Sequence, residues 1–222
     1  MAFTEATHIE ERSVRVSAGE VIIDGDLSLP ADAQGIVLFA HGSGSSRRSS
    51  RNRYVARLLN EARLATLLID LLTAQEETVD IRTAHLRFNI GLLAERLIGA
   101  TDWLQQNDDT RTLTVGYFGA STGAAAALVA AVERAKVVGA VVSRGGRPDL
   151  AGSALERVEA PTLLIVGGND LQVIELNQMA FARLKCEKRL AIVPGATHLF
   201  EEPGALDEVA RHAAQWFLRH LA

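Results

Sequence analysis

The sequence contains one cysteine, Cys186, in 222 residues, which excludes an intrachain disulfide and fits a reducing compartment. Nothing beside Cys186 in the chain would lower its pKa, so it reads as a small, partly buried side chain on a helix rather than a reactive thiol. Long apolar runs are missing too. No stretch approaches the charge-free span of about 18 to 20 residues needed to cross a bilayer, and the opening Met-Ala-Phe-Thr-Glu-Ala-Thr-His-Ile-Glu-Glu-Arg has no apolar leader core. A soluble, unexported, cytoplasmic protein is expected, with no membrane partner. There is no basic excess: 23 Lys and Arg against 27 Asp and Glu give a formal net charge of -4. Without a basic stripe, nucleic acid is excluded as a main partner. Linkers, low-complexity tracts and internal repeats are also absent, so residues 1–222 are read as one domain.

What is present is hydrophobic patterning, with 48% hydrophobic residues supplying a sizeable core. Residues 12–17 and 21–29 alternate apolar and polar around Ala-Gly, the pattern of an antiparallel pair. Near-continuous apolar runs follow at 35–40 and 65–70, as in strands buried on both faces of a parallel sheet. Further strands are expected at 113–118, 137–143, 162–166 and 189–193. Leu86, Ile90, Leu93, Leu97, Ala100 and Leu104 form one stripe of a helix predicted from about Thr83 to Gln106. A last helix, from about Leu206 to Leu221, places Val209, Ala213, Trp216 and Phe217 on one face. The alternation predicts an α/β fold, a mostly parallel sheet of about eight strands with helices on both faces.

In such sheets ligands sit beyond the carboxyl ends of the strands. Four of those ends carry chemistry: His41-Gly42-Ser43-Gly44, the Gly119-Ala-Ser121-Thr-Gly123 turn, Gly167-Gly-Asn-Asp170, and Pro194-Gly-Ala-Thr-His198. G-x-S-x-G between a strand and a helix presents its serine at the tip of a tight turn. A serine hydroxyl needs an imidazole to take its proton, and a carboxylate to orient that imidazole. Ser121 is therefore assigned as nucleophile, His198 as general base and later acid, and Asp170 as orienting carboxylate, in the chain order Ser…Asp…His. Taken singly, the three also read as a helix N-cap, a turn aspartate and a surface histidine. An oxyanion hole is expected from the N–H of Thr122 and that of Ser43, with Gly42 as the alternative to Ser43 and as a substrate contact. His41, heading the glycine loop, reads as a structural hydrogen-bonding residue.

The segments F-A-H-G-S-G-S-S-R at 39–47, L-R-F-N-I-G-L-L-A-E-R-L at 86–97, G-A-S-T-G, V-S-R-G-G-R-P-D-L at 142–150, G-G-N-D and G-A-T-H-L-F at 195–200 resemble the dienelactone hydrolase-like branch of the α/β-hydrolase superfamily. The resemblance covers roughly residues 20 to 220. It implies an α/β-hydrolase fold without a separate cap domain, acting on esters or lactones, and supports the triad read from the residues. Dienelactone hydrolases proper carry cysteine at the turn, whereas this chain has Ser121. That departure shifts the expected chemistry from dienelactone toward carboxylic esters of small to medium acyl or aryl groups. Lactone hydrolysis and promiscuous phosphotriester hydrolysis are the alternatives.

Specificity is less legible. Arg47, Arg48, Arg51 and Arg53 follow the oxyanion loop, and Arg144 and Arg147 follow the sixth strand. Such side chains can hold an anionic substrate group, and Arg51 and Arg144 are the candidates, although exposed arginines are common at helix starts. Residues 71–83, with Glu76, Glu77 and Asp80, read as a solvated connection or a short lid. A rival reading takes 35–40, Gly42-Ser-Gly44 and Asp70 as a dinucleotide-binding unit for NAD(P). It lacks the third glycine, replaced by Arg47, and leaves Ser121, Asp170 and His198 unexplained. A hydrolase fold kept as a non-catalytic binding module is a further alternative. No cofactor and no metal are expected, the partner is a small-molecule ester, and a homodimer is left open.

Overall fold

A computed structural model of the chain describes residues 8–222; residues 1–7, part of the stretch inspected for an export leader, lie outside the described residues. β1 (Ile9–Ala18) and β2 (Val21–Pro30) form the expected antiparallel hairpin. β3 (Ile36–Ala40), β4 (Ala65–Ile69), β5 (Val115–Ala120) and β7 (Thr162–Gly167) are buried at every position, and β6 (Val138–Arg144) at all but Gly139. β8 (Lys188–Val193) is the half-exposed edge. The eight strands lie in the order β1-β2-β4-β3-β5-β6-β7-β8. β2 meets β4 antiparallel, and all pairings from β4 through β8 are parallel. Continuous apolar runs suit strands covered on both sides, and this is the α/β-hydrolase fold.

The period of two along each strand divides the core. Val37, Phe39, Phe118, Val142 and Ile165 point to one face, under α1 (Ser50–Glu61) and α6 (Ala205–Leu221). Leu38, Leu67, Tyr117, Val141 and Leu164 point to the other, under α3 (Ile90–Gln106), α4 (Thr122–Glu133) and α5 (Leu171–Arg183). Tyr117 is fully buried, and its hydroxyl is 2.6 Å from Thr101 Oγ1, as a buried phenol requires. No helix of the described residues is long and apolar enough to cross a membrane. Cys186 lies in the bend before β8 rather than on a helix; it is partly buried, and burial pushes its thiol pKa up.

The helix expected from Thr83 to Gln106 is broken at its start: Thr83 ends a separate helix, a turn follows, and only 90–106 is the expected helix. Residues 74–83 form α2 (Ala74–Thr83), closed by Ala84 in the left-handed region at φ 55°. A short 3-10 turn holds Leu86–Phe88, and α3 begins only at Ile90, where the Asn89 side chain accepts from the Leu92 N–H at 3.1 Å. The apolar spacing runs unbroken across the junction because Leu86 packs on the same core from the turn. Nor is 71–83 an open connection: Thr73 and Glu76 make a reciprocal capping box, and Leu71 and Leu72 are buried.

Asp80 fastens this corner. Its carboxylate is buried and accepts from the Leu86 and Arg87 N–H groups at 2.7 and 3.1 Å and from the Arg87 side chain. Burial raises the Asp80 pKa, but the Arg87 and Leu86 hydrogen bonds together outweigh it, leaving the group below its ordinary value. Asp80→Ala would leave the partly covered Arg87 guanidinium and two N–H groups without their acceptor. It is expected to lower the urea midpoint clearly, whereas Asp108→Ala, which breaks the solvent-exposed pair with Arg111, leaves it within error.

Candidate active site

The turn from β5 into α4 decides where Ser121 sits. A Cβ on Gly119 would lie 2.4 Å from Ala124 Cα, and one on Gly123 would lie 2.3 Å from the Ala40 carbonyl oxygen. Only glycine permits those approaches, so α4 starts directly against β5 and β3. Ser121 absorbs the reversal at φ 51° and ψ -122°, a conformation that costs a non-glycine residue about 1 to 3 kcal/mol. Its side chain makes no N-cap hydrogen bond, which removes the helix-cap account of this serine.

Asp170 and His198 meet at the ends of β7 and β8. Asp170 is the N-cap of α5, yet its side chain makes no cap bond. Instead, its Oδ2 lies 2.7 Å from His198 Nδ1. With Nδ1–H donating to the carboxylate, Nε2 is left as the acceptor. Asp170 is largely covered, whereas the imidazole is 40% exposed. The His198 ring lies at the end of β6, where a Cβ on Gly145 would be 3.7 Å from its Cε1, and the neighbouring Arg144 carbonyl accepts the Ser121 N–H at 3.4 Å. The Ser121 hydroxyl itself makes no hydrogen bond to the ring here.

The glycine loop after β3 is held by two side chains. His41 is buried; its Nδ1 donates to the Gly42 carbonyl at 2.9 Å, and its Nε2 accepts from the Leu71 N–H at 3.1 Å. Both nitrogens are committed, and burial lowers the His41 pKa. The Ser43 N–H already has an acceptor in this structure, Thr122 Oγ1 at 3.0 Å. The Thr122 N–H, at the first position of α4, has no intrahelical partner. Sequence reasoning missed the Thr122 hydroxyl because a threonine after the nucleophile carries no signal for a contact 79 residues away.

The six arginines separate once their partners are seen. Arg47 pairs with Asp70, Asp24 and Asp26, and Arg147 with Asp149. Asp70 takes the Arg47 N–H on its other oxygen at 2.8 Å, so the carboxylate that the dinucleotide reading required is occupied. Arg48 and Arg53 face solvent. Arg51 reaches Glu201 at 3.1 Å, and Arg144 is buried with no acidic partner among the described residues.

Leu171 follows Asp170 and is 75% exposed, and Leu150 and Leu199, the latter following His198, are exposed as well. An apolar residue directly after a strand-end polar residue was the available signal for these. Two larger grooves lie elsewhere, one of 690 Å³ between the β1–β2 turn and α3, the other of 810 Å³ beside Arg47 and Asp70. Neither is lined by Ser121, Asp170 or His198. Among the described residues, no group of His, Cys, Asp or Glu is arranged to hold a metal ion.

The model of the dienelactone hydrolase family matches residues 23–221. The chain belongs to this family. A dienelactone hydrolase from Anabaena variabilis is 65% identical and superposes with a TM-score of 0.95, covering 96% of this chain and 99% of that one. The dienelactone hydrolase-like promiscuous phosphotriesterase from metagenomic libraries, 17% identical, shares the fold at a TM-score of 0.75 over 96% of this chain and 99% of that one. A Mycobacterium tuberculosis protein named "Putative phosphoribosyl transferase" is 58% identical over 213 residues, 96% of this chain and 47% of that protein. The chain thus spans about half the length of the curated relatives it matches. Family membership places this chain among the hydrolases.

Two outcomes follow from the local physics. Ser121→Gly relieves the positive φ and is expected to be more stable than Ser121→Ala by about 1 kcal/mol, read from urea denaturation. His41 resists protonation when folded, but the unfolded chain takes up a proton at the ordinary imidazole value. Acidification through 6.5, the unshifted value, therefore favours unfolding. The stability of the native chain should fall more steeply between neutrality and pH about 5 than that of His41→Gln, measured by denaturation across that range.

Proposed function

We propose that this chain is a serine hydrolase of carboxylic esters that works through an acyl-enzyme on Ser121. The observation that supports it most is the 2.7 Å contact between His198 Nδ1 and Asp170 Oδ2, made by two residues at neighbouring strand ends beside a serine held at positive φ. In this reading His198 Nε2 removes the Ser121 proton as Oγ attacks the ester carbonyl. Asp170 holds the ring in the tautomer that leaves Nε2 free and stabilises the imidazolium. The imidazolium then protonates the leaving alkoxide. Water, activated by the same nitrogen, releases the acid and restores Ser121.

The oxyanion is assigned to the Thr122 N–H first. The Ser43 N–H joins when the oxyanion displaces the Thr122 hydroxyl, a stronger acceptor replacing a neutral one. Gly42, packed against Ser121, lets the backbone approach the substrate. Leu150, Leu171 and Leu199 are assigned to an apolar acyl or aryl group. A lactone is a cyclic ester and would follow the same steps, and the name of the Anabaena neighbour favours that second reading. No part of the transferase activity named for the longer mycobacterial protein is assigned to this chain. We further infer a cytoplasmic location, from the single cysteine.

Ser121→Ala is expected to abolish turnover of a short p-nitrophenyl ester and labelling by a fluorophosphonate. Asp170→Asn should lower kcat by about 1,000- to 10,000-fold with KM little changed. Folded protein that neither labels nor turns over the ester would sink the reading.

A further inference from the structure

Gly145, Gly146 and Arg147 follow β6 and lead into a 3-10 segment, Pro148–Glu156. By their backbone these three residues connect the nucleophile to the imidazole. The Arg147 N–H donates to the Ser121 carbonyl at 3.0 Å, and the Gly145 N–H donates to the Ile165 carbonyl of β7 at 2.8 Å. A Cβ on Gly145 would be 3.0 Å from the His198 carbonyl oxygen and 3.7 Å from Cε1 of its ring. One on Gly146 would be 2.6 Å from Ala124 Cβ, in the first turn of α4. The segment is thus a spacer, touching the carbonyl and helix of the serine on one side and the His198 ring on the other.

A third element holds this spacer. Asn177 lies within α5, the helix that Asp170 heads, and it is fully buried. Its Nδ2 donates to the Gly146 carbonyl at 3.0 Å and to the Val173 carbonyl at 2.8 Å. Two carbonyl oxygens on one side of the amide fix its orientation, because only the nitrogen can donate. Its Oδ1 is buried with no partner among the described residues. A buried amide left half satisfied costs stability. The bond to Val173 adds little, since it only repeats on the side chain a contact that a helix makes with its own backbone. Alanine would serve α5 better as a helix former. What the amide contributes is the tie to Gly146, 31 positions away.

We propose that Asn177 is a positioning residue: by fixing Gly146 it sets the distance between Ser121 and the His198 ring. Asp170 holds the ring through Nδ1, and Asn177, from the same helix, holds the backbone against which Cε1 rests. No proton passes through Asn177. This deepens the hydrolase reading and rests on it for the effect on catalysis, but not for the placement of the ring.

The test compares the native chain with Asn177→Ala and Asn177→Asp. Asn177→Asp keeps the shape of the side chain and covers the case in which Asn177→Ala fails to fold. For a p-nitrophenyl ester, kcat is expected to fall by about 10- to 100-fold with KM little changed, the scale of a misplacement of about 1 Å. The same substitutions in a His198→Ala chain should cost nothing further, because a spacing to an absent ring has no effect. Independently of turnover, the native chain should show NMR cross-relaxation between the His198 Cε1 proton and the Gly145 Cα protons, and both variants should weaken it. Unchanged kcat in folded variants, equal losses with and without His198, or cross-relaxation that is absent from the native chain or unaltered in the variants would overturn the role. If the native chain hydrolyses no ester and the variants still weaken the cross-relaxation, the placement of the ring by Asn177 stands and the hydrolase reading is removed instead.

Discussion

The close approach of α4 to β5 and β3 is the constraint on which the site depends. Two missing Cβ atoms, at Gly119 and Gly123, let the Ala124 backbone of the helix lie against β5 and the helix start against the Ala40 and His41 carbonyls. The reversal leaves Ser121 at φ 51° with no cap bond. It also brings Thr122 to the glycine loop, where its hydroxyl takes the Ser43 N–H. A wider turn would separate Ser121, the glycine loop after β3 and the end of β6 together, because all three are referenced to the same few backbone atoms.

Around that turn, the polar residues divide by whether their charges are matched. Asp80 with Arg87, Arg96 with Glu76, and Arg47 with Asp70 are paired and tie loops to the frame. His41 is neutral and satisfied at both nitrogens. Asp170 is committed to His198 rather than to its own helix. Arg144 alone among these is buried and charged without an opposite charge, and unmatched charge beside a strained serine is how functional sites differ from structural ones.

Much of the fold was readable because its signals are local. Buried parallel strands announce themselves as unbroken apolar runs, and the elbow by glycines two residues either side of a serine. The α2–α3 junction was not, since the stripe from Leu86 to Leu104 continues across a break that Ala84 and Asn89 impose. The capping box at Thr73 and Glu76 was the local clue that 71–83 is helical. The candidate nucleophile, acid and base were legible from strand ends and chain order. The resting partner of the Ser43 N–H, Thr122 Oγ1, was not legible because it comes from a different turn.

By itself the sequence determined the sheet, the two apolar faces and the tight turn at Ser121, because periodicity and missing side chains act between residues a few positions apart. Tertiary structure alone decided which of six similar arginines is buried without an opposite charge among the described residues. Arg47 finds Asp70 23 positions away, whereas Arg144 finds only the neutral Asn52, 92 positions away. The sign and distance of a partner set the state of a charge, and no local pattern encodes a partner that only folding brings near.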